Sequence, residues 1–138
     1  MEARVKWIDN MAFMGKSESG HGLVMDARQE FGGTNLGPSP MELMLLGAGG
    51  CTSIDLISIL KKARQQVTDV EVKLTAERAP EPPKVFTKVH MHFVVIGQGV
   101  SAKHVERALN LSAETYCSAS IMLGKTAEMS HSFEIVEG

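Results

Sequence analysis

The sequence predicts an α+β fold, because its strand-like and helix-like segments fall into separate groups along the chain. Alternating apolar and polar residues mark the strands, whereas one long apolar segment and two shorter segments have helical features. Such grouping is typical of α+β proteins, and strict alternation of strands and helices would instead indicate a parallel α/β sheet. The 138 residues, of which 43% are hydrophobic, predict one domain over residues 1–138.

Three strands are predicted near the N-terminus, at 3–9, 11–16 and 23–27. Asp9-Asn10 separates the first two and is a turn signal, and a second turn is expected at 16–22. Residues 30–40 (EFGGTNLGPSP) are rich in Gly, Asn and Pro and therefore predict a loop.

A long helix is predicted over 40–64, with Ser39 as its N-cap and Pro40 in its first position. Its basic last turn suits the negative end of the helix dipole. The helix is apolar almost all round, so one sheet cannot cover it, and a second helix or a second subunit is expected on its other face. Its middle contains three glycines and a cysteine: Gly47, Gly49, Gly50 and Cys51. Each glycine weakens a helix, so we expect them to allow close packing, to leave room beside Cys51, or both.

The second half of the chain predicts a hairpin of strands at 69–77 and 85–97, joined by a proline-rich connector. Ser101 then begins a helix with an apolar stripe, and a short helix is predicted before Gly124. The last strand is predicted at 132–137.

Charge and hydropathy argue against several classes of function. The net charge is −2 and basic residues form no cluster, so the footprint of a nucleic-acid-binding or membrane-surface protein is missing. The N-terminus lacks the apolar core of a signal peptide, and the apolar stretch 43–54 is shorter than a membrane span requires. We therefore expect a cytoplasmic protein.

The two cysteines, Cys51 and Cys117, are the main candidates for chemistry, although each could equally be a buried small hydrophobe. Their spacing fits no zinc pattern. Asp55 lies one helical turn after Cys51, and a carboxylate there would raise the pKa of the thiol. Cys117 falls at a junction between helices, where free N–H groups could stabilise a thiolate. His90 and His92 share one face of a strand and could bind a metal, but a solvated polar face is the favoured interpretation.

The segments FGGTNLGPSPMELMLLGAGGCTSIDLISILKK and YCSASIMLGKTAE resemble the two cysteine motifs of the OsmC/Ohr family, in particular its OsmC-like branch. The order of elements matches too, so the resemblance covers essentially the whole chain. It implies an OsmC-like fold in which sheets wrap around the two central cysteine-bearing helices of an intertwined homodimer. It also implies thiol-based reduction of organic hydroperoxides, as part of defence against oxidative stress.

In the roles that the resemblance implies, Cys51 attacks the peroxide and Cys117 resolves the sulfenic acid as a disulfide. A dithiol reductant, dihydrolipoamide-like in the Ohr branch, would reopen that disulfide, and no metal, flavin or haem is required. The family also pairs its reactive cysteine with a glutamate and an arginine. Met41 stands at the glutamate position, and no arginine matches residue by residue.

Four residues are therefore auxiliary candidates: Lys16, Arg28, Glu42 and Asp55. The missing pair leaves two functions open. The first is a hydroperoxide reductase. The second is a family member with weak or no peroxidase activity that binds a small apolar or thiol-reactive ligand at the dimer interface.

Overall fold

The computed structural model describes all 138 residues and confirms the α+β class and the predicted order of elements. The strands are β1 (Ala3–Asp9), β2 (Ala12–Ser17), β3 (Gly22–Asp26), β4 (Gln66–Arg78), β5 (Phe86–Gln98) and β6 (Glu128–Glu137). The helices are α1 (Pro40–Lys62), α2 (Ala102–Leu111) and α3 (Ser118–Leu123). A 3₁₀ turn covers Gln29–Phe31, and a π-helical turn covers Ser112–Tyr116. The chain forms two compact units, 1–46 and 47–138, and its organisation as a single domain stays a prediction.

The first unit is a three-stranded antiparallel meander in the order β1-β2-β3. Asn10 takes a left-handed backbone conformation (φ 49°) in the turn between β1 and β2, as the Asp-Asn pair predicts. At the end of β3, the buried carboxylate of Asp26 accepts hydrogen bonds from the backbone N–H groups of Thr34 and Leu36 and from the Thr34 hydroxyl. Burial raises the pKa of Asp26, but these hydrogen bonds outweigh it and hold the pKa below its ordinary value. The carboxylate therefore orders the GGTN loop.

The start of α1 is fixed by a reciprocal capping box. The Ser39 hydroxyl accepts the Glu42 N–H (3.3 Å), and the Glu42 carboxylate accepts the Ser39 N–H (3.0 Å). Pro40 occupies the first helical position, where its missing N–H costs nothing. The helix ends at Lys62 rather than at the predicted Arg64, because Arg64 has a left-handed backbone (φ 57°) that a helix cannot continue.

The second unit contains a three-stranded sheet in the order β4-β5-β6. β4 and β5 form the predicted antiparallel hairpin, and β6 runs parallel to β5. The central strand buries every second side chain from Val89 to Val95. Ladder pairing makes β4 and β6 longer than the predicted 69–77 and 132–137, because backbone hydrogen bonds continue past the residues whose side chains alternate.

Helix α1 has one buried stripe and one open face within the second unit. The stripe comprises Ala48, Gly49, Thr52, Leu56 and Leu60. A Cβ atom on Gly49 would lie 2.7 Å from a Leu74 methyl group, so this glycine allows the helix to approach β4. A Cβ atom on Gly47 or Gly50 would meet nothing within 4 Å, and Ile54 beside them is 71% exposed.

Helix α1 has 23 residues and contains an 18-residue window whose mean hydropathy is 1.8, so by length and composition alone this helix could cross a membrane. The sequence-based argument that the apolar stretch is too short therefore does not hold for the helix as a whole. The result is weak support for a membrane span, because the core helix of a soluble protein passes the same test.

Candidate functional site

The two cysteines and one carboxylate meet in the second unit. Cys51 and Asp55 lie one turn apart on α1, and Cys117 lies between the π-helical turn and α3. The two sulfur atoms and a carboxylate oxygen of Asp55 all lie within 4.8 Å of one another. Three residues chosen from the sequence are thus brought together, although 62 positions separate Asp55 from Cys117.

Cys117 is completely buried and surrounded by hydrogen-bonding groups. Thr52 donates its hydroxyl to the Cys117 sulfur at 3.3 Å, and the Ser120 N–H points at the same sulfur at 3.4 Å. The Ser120 hydroxyl lies 3.1 Å away; it accepts from the thiol and can donate to the thiolate. Cys117 is therefore the N-cap of α3, with sulfur in place of the usual hydroxyl oxygen.

Cys51 is half-buried, and both cysteines are free thiols. Its sulfur receives the Ala119 N–H, and its own S–H faces Cys117. Asp55 is held in place by the Ser112 hydroxyl, which donates to Oδ2 at 2.8 Å. The thiol pair therefore has one member open to reactants and one member sealed inside the protein.

The surroundings shift the pKa values of the two thiols in opposite directions. The Ala119 N–H lowers the pKa of Cys51. The hydrogen bond to Cys117, burial, and the negative charges of Cys117 and Asp55 together raise it above its ordinary value. Burial raises the pKa of Cys117, but the hydrogen bonds from Ser120, Thr52 and Cys51 lower it below its ordinary value. Of the two thiols, Cys117 is therefore the one whose charged form its surroundings favour.

A cavity of about 550 Å³ adjoins Asp55. Its walls combine apolar residues with basic ones: Ser58, Ile59, Lys62, Ala63, His104, Arg107, Leu111 and Tyr116. The cavity gives small molecules a path to the carboxylate that lies beside the thiols.

The other auxiliary candidates belong to the first unit. Glu42 forms the capping box, and its hydrogen bonds with Ser39 lower the pKa of its carboxyl below the ordinary value. Arg28 is exposed and lies 3.6 Å from the Glu30 carboxylate, and Lys16 is exposed on β2. Met41, at the family's glutamate position, is half-buried in the first turn of α1.

The two histidines of β5 belong to a polar ladder on the sheet. His90 lies 2.7 Å from the Ser130 hydroxyl and 2.8 Å from that of Ser132, and His92 lies 2.7 Å from Ser132. His92 also lies 3.6 Å from the Glu134 carboxylate. The histidines are therefore satisfied by neighbours on β6, which agrees with the favoured interpretation of a polar face.

Sequence reasoning missed Thr52, Ser112 and Ser120, which hold the thiols and the carboxylate in place. One local signal could have found Ser120. It stands three positions after Cys117, the spacing between an N-cap residue and the backbone N–H that it receives. Thr52 and Ser112 act across 65 and 57 positions, so no local pattern marks them.

A family model for OsmC-like proteins matches residues 33–132 of this chain. The chain therefore belongs to the OsmC-like family. Protein YhfA of Escherichia coli K12 is 48% identical to it over 136 residues, which cover 99% of this chain and 98% of that protein. The resemblance that the two cysteine motifs indicated is thus confirmed.

Solved structures agree on the fold. A protein from Aquifex aeolicus VF5 is 28% identical, with a TM-score of 0.88 over 99% of this chain and 96% of its own. The organic hydroperoxide resistance protein OhrB of Bacillus subtilis is 18% identical, with a TM-score of 0.63 over 97% of this chain and 98% of its own. At that identity the likeness to OhrB shows the fold alone.

Proposed function

We propose that this protein reduces organic hydroperoxides with Cys51 and Cys117 and contributes to defence against oxidative stress. The observation that carries the proposal is the pairing of a half-exposed thiol with a buried, hydrogen-bonded one, their sulfur atoms no more than 4.8 Å apart. Family membership supports it, because proteins of the same fold are called organic hydroperoxide resistance proteins.

In the first step, the Cys51 sulfur attacks the peroxide oxygen that bears hydrogen, and the O–O bond breaks. Cys51 is the attacking residue because it is the accessible thiol. Cys51 loses its proton as it attacks, and the departing alkoxide takes up a proton, so the step is balanced. The products are an alcohol and a sulfenic acid on Cys51.

In the second step, the Cys117 thiolate attacks the Cys51 sulfur. The S–O bond breaks, hydroxide leaves and takes up a proton, and a Cys51–Cys117 disulfide forms. The lowered pKa of Cys117 favours this step, because only the thiolate is nucleophilic. A dithiol reductant of the dihydrolipoamide type then restores both thiols by thiol–disulfide exchange.

The raised pKa of Cys51 makes the first step slow at neutral pH. The hydrogen bond to Cys117 and burial are the larger causes of the raised pKa, and the negative charges of Cys117 and Asp55 add to it. Met41 stands where the family has a glutamate. We expect a real reaction with alkyl hydroperoxides that becomes faster at alkaline pH.

We also propose that the protein is a cytoplasmic homodimer whose copies meet along the open face of α1. Gly47, Gly50 and Ile54 leave an apolar surface on which a second backbone can approach closely. Burying an isoleucine side chain stabilises such a contact by about 1.5–3 kcal/mol.

The test mixes reduced protein with an alkyl hydroperoxide and follows the loss of both thiols. Cys51→Ser should abolish the reaction. Cys117→Ser should leave a sulfenic acid on Cys51 that a sulfenate-specific reagent labels. A wild type that keeps both thiols in excess hydroperoxide at alkaline pH would refute the proposal.

The second candidate is a family member that binds a small apolar or thiol-reactive ligand and has weak or no peroxidase activity. The raised pKa of Cys51 and the partly apolar cavity beside Asp55 favour it. Intact thiols after hydroperoxide treatment, together with saturable binding of an apolar fluorescent probe that Leu111→Trp weakens, would support this candidate.

A further inference from the structure

We propose that Cys51, Cys117 and Asp55 of the reduced protein form a binding site for a soft divalent cation of the Zn²⁺ type. Three ligand atoms from two separate segments converge within 4.8 Å of one another. Cysteine sulfur and carboxylate oxygen are both zinc ligands, and three protein ligands with one open position are the usual set of a reactive zinc site.

The spacing of the three atoms fits such an ion. Zinc binds cysteine sulfur at about 2.3 Å and carboxylate oxygen at about 2.0–2.2 Å, so tetrahedral geometry places two sulfur ligands about 3.8 Å apart. Atoms that already lie within 4.8 Å of one another need shifts of only about 1 Å to reach that arrangement. Rotations about the side-chain bonds of Cys51 and Asp55 supply shifts of this size.

Neighbouring groups already orient the ligands. The Ser112 hydroxyl holds one oxygen of Asp55 at 2.8 Å and leaves the other free to bind. Thr52 and the Ser120 N–H point at the Cys117 sulfur, and such donors hold a thiolate in place while it binds metal. The site therefore has the outer partners that support metal ligands in proteins.

The charge of the ligand set also suits a divalent cation once both thiols are ionised. Two thiolates and one carboxylate around Zn²⁺ leave one net negative charge. Lys62 and Arg107 line the cavity that reaches Asp55 and can offset this charge. These basic residues slow the approach of a cation, but they favour an anionic fourth ligand such as hydroxide or an external thiolate.

The site exists only while the thiols are reduced, because a Cys51–Cys117 disulfide removes two of its three ligands. Metal binding and disulfide formation then exclude each other, and a bound cation shields Cys51 from oxidants. This inference does not depend on hydroperoxide reduction.

The test titrates the reduced, metal-free full-length protein with Co²⁺, whose visible absorption is intense when thiolates bind it tetrahedrally. We expect one Co²⁺ per chain and its displacement by Zn²⁺. Bound Zn²⁺ should also protect the accessible Cys51 thiol from alkylation. Asp55→Asn should weaken binding by roughly tenfold or more. Asp69→Asn, which changes an exposed carboxylate on β4, is the matched control and should leave binding unchanged.

The disulfide form should bind no Co²⁺. The inference is overturned if Zn²⁺ leaves the Cys51 thiol open to alkylation, or if Asp55→Asn binds Co²⁺ as the wild type does. It is also overturned if His92→Ala, rather than a cysteine variant, abolishes the spectrum. If the wild type reduces hydroperoxide but binds no Co²⁺, only the metal site is refuted. If it binds Co²⁺ but does not reduce hydroperoxide, only the proposed function is refuted.

Discussion

Thr52 and Cys117, 65 positions apart in the sequence, are joined by a 3.3 Å hydrogen bond from the threonine hydroxyl to the cysteine sulfur. Both residues are buried, so water cannot replace this donor. The bond helps to lower the pKa of Cys117 and so prepares the thiolate that would close the disulfide.

Thr52→Val should therefore raise the pKa of Cys117 and slow disulfide formation. Valine keeps the shape of threonine but has no hydroxyl. The loss of one hydrogen bond worth ~1 kcal/mol corresponds to a rate decrease of roughly fivefold. Ultraviolet absorbance of the thiolate reports the pKa, and sulfenate labelling should show a longer-lived Cys51 sulfenic acid. Thr52→Ser keeps the donor and should behave as the wild type does; equal slowing in both variants would contradict the role of the hydroxyl.

Asp55→Asn should move the pH profile of hydroperoxide reduction to lower pH. The Asp55 charge raises the pKa of Cys51, so its removal lowers that pKa and increases the thiolate fraction near neutral pH. Asparagine keeps an oxygen that can accept the Ser112 hydroxyl. Stopped-flow rates from neutral to alkaline pH would measure the shift, and Asp69→Asn is the control. A profile that moves to higher pH would show that the carboxylate acts as a base rather than as an opposing charge.

Gly50→Leu should impair self-association without destabilising the chain itself. A Cβ atom at Gly50 meets nothing within 4 Å, and leucine favours a helix over glycine by roughly 1 kcal/mol. Any overpacking must then arise from a second copy. Sedimentation velocity would detect the loss of dimer.

Gly49→Leu is the matched comparison, because its side chain would collide with Leu74 inside the same chain. We expect that variant to lower the free energy of unfolding. A wild type that sediments as a folded monomer at micromolar concentration would refute the dimer.

Ser39→Ala should lower the free energy of unfolding by about 1 kcal/mol, because it removes the hydroxyl that caps α1.

Glu42 has a lowered pKa in the folded state, so its contribution to stability is present above its unfolded pKa and is lost as pH falls through the folded value. Glu42→Gln should flatten this acid dependence in denaturant titrations. A large loss of hydroperoxide reduction at unchanged stability would instead give Glu42 a part in catalysis.

His131 should lower the free energy of unfolding as pH falls through the ordinary histidine pKa of about 6.5. Burial and the neighbouring His90 lower its pKa, whereas Glu106 and Glu114 act in the opposite direction. Because the folded state resists protonation, the unfolded state binds more protons below the ordinary pKa, and stability decreases there. His131→Gln should remove this part of the pH dependence in thermal unfolding, and His21→Gln, in an exposed turn, should not. Identical profiles for the two variants would show that His131 is not the group responsible.

Much of the chain's organisation could be predicted from short stretches of sequence. The Ser39-Pro40 start of α1, the turn at Asn10 and the alternation along β5 each depend on residues within a few positions of one another. Backbone capping, left-handed turns and side-chain periodicity are local effects, so the sequence alone reveals them. The exact ends of β4 and β6 escaped prediction because pairing with β5 decides where a ladder stops.

The sequence by itself determined the α+β class, the order of its elements, the two cysteines and, through their motifs, the family. Only the tertiary structure decided which thiol is accessible and which thiol has the lowered pKa. It also placed Asp55 beside both thiols, where the Ser112 hydroxyl holds it. It also decided that Gly49 faces the sheet while Gly50 faces open space. The physical reason is that these properties arise from packing between segments more than 20 positions apart. A hydrogen bond or a desolvated thiol depends on what the fold brings near it, and local periodicity carries no record of that.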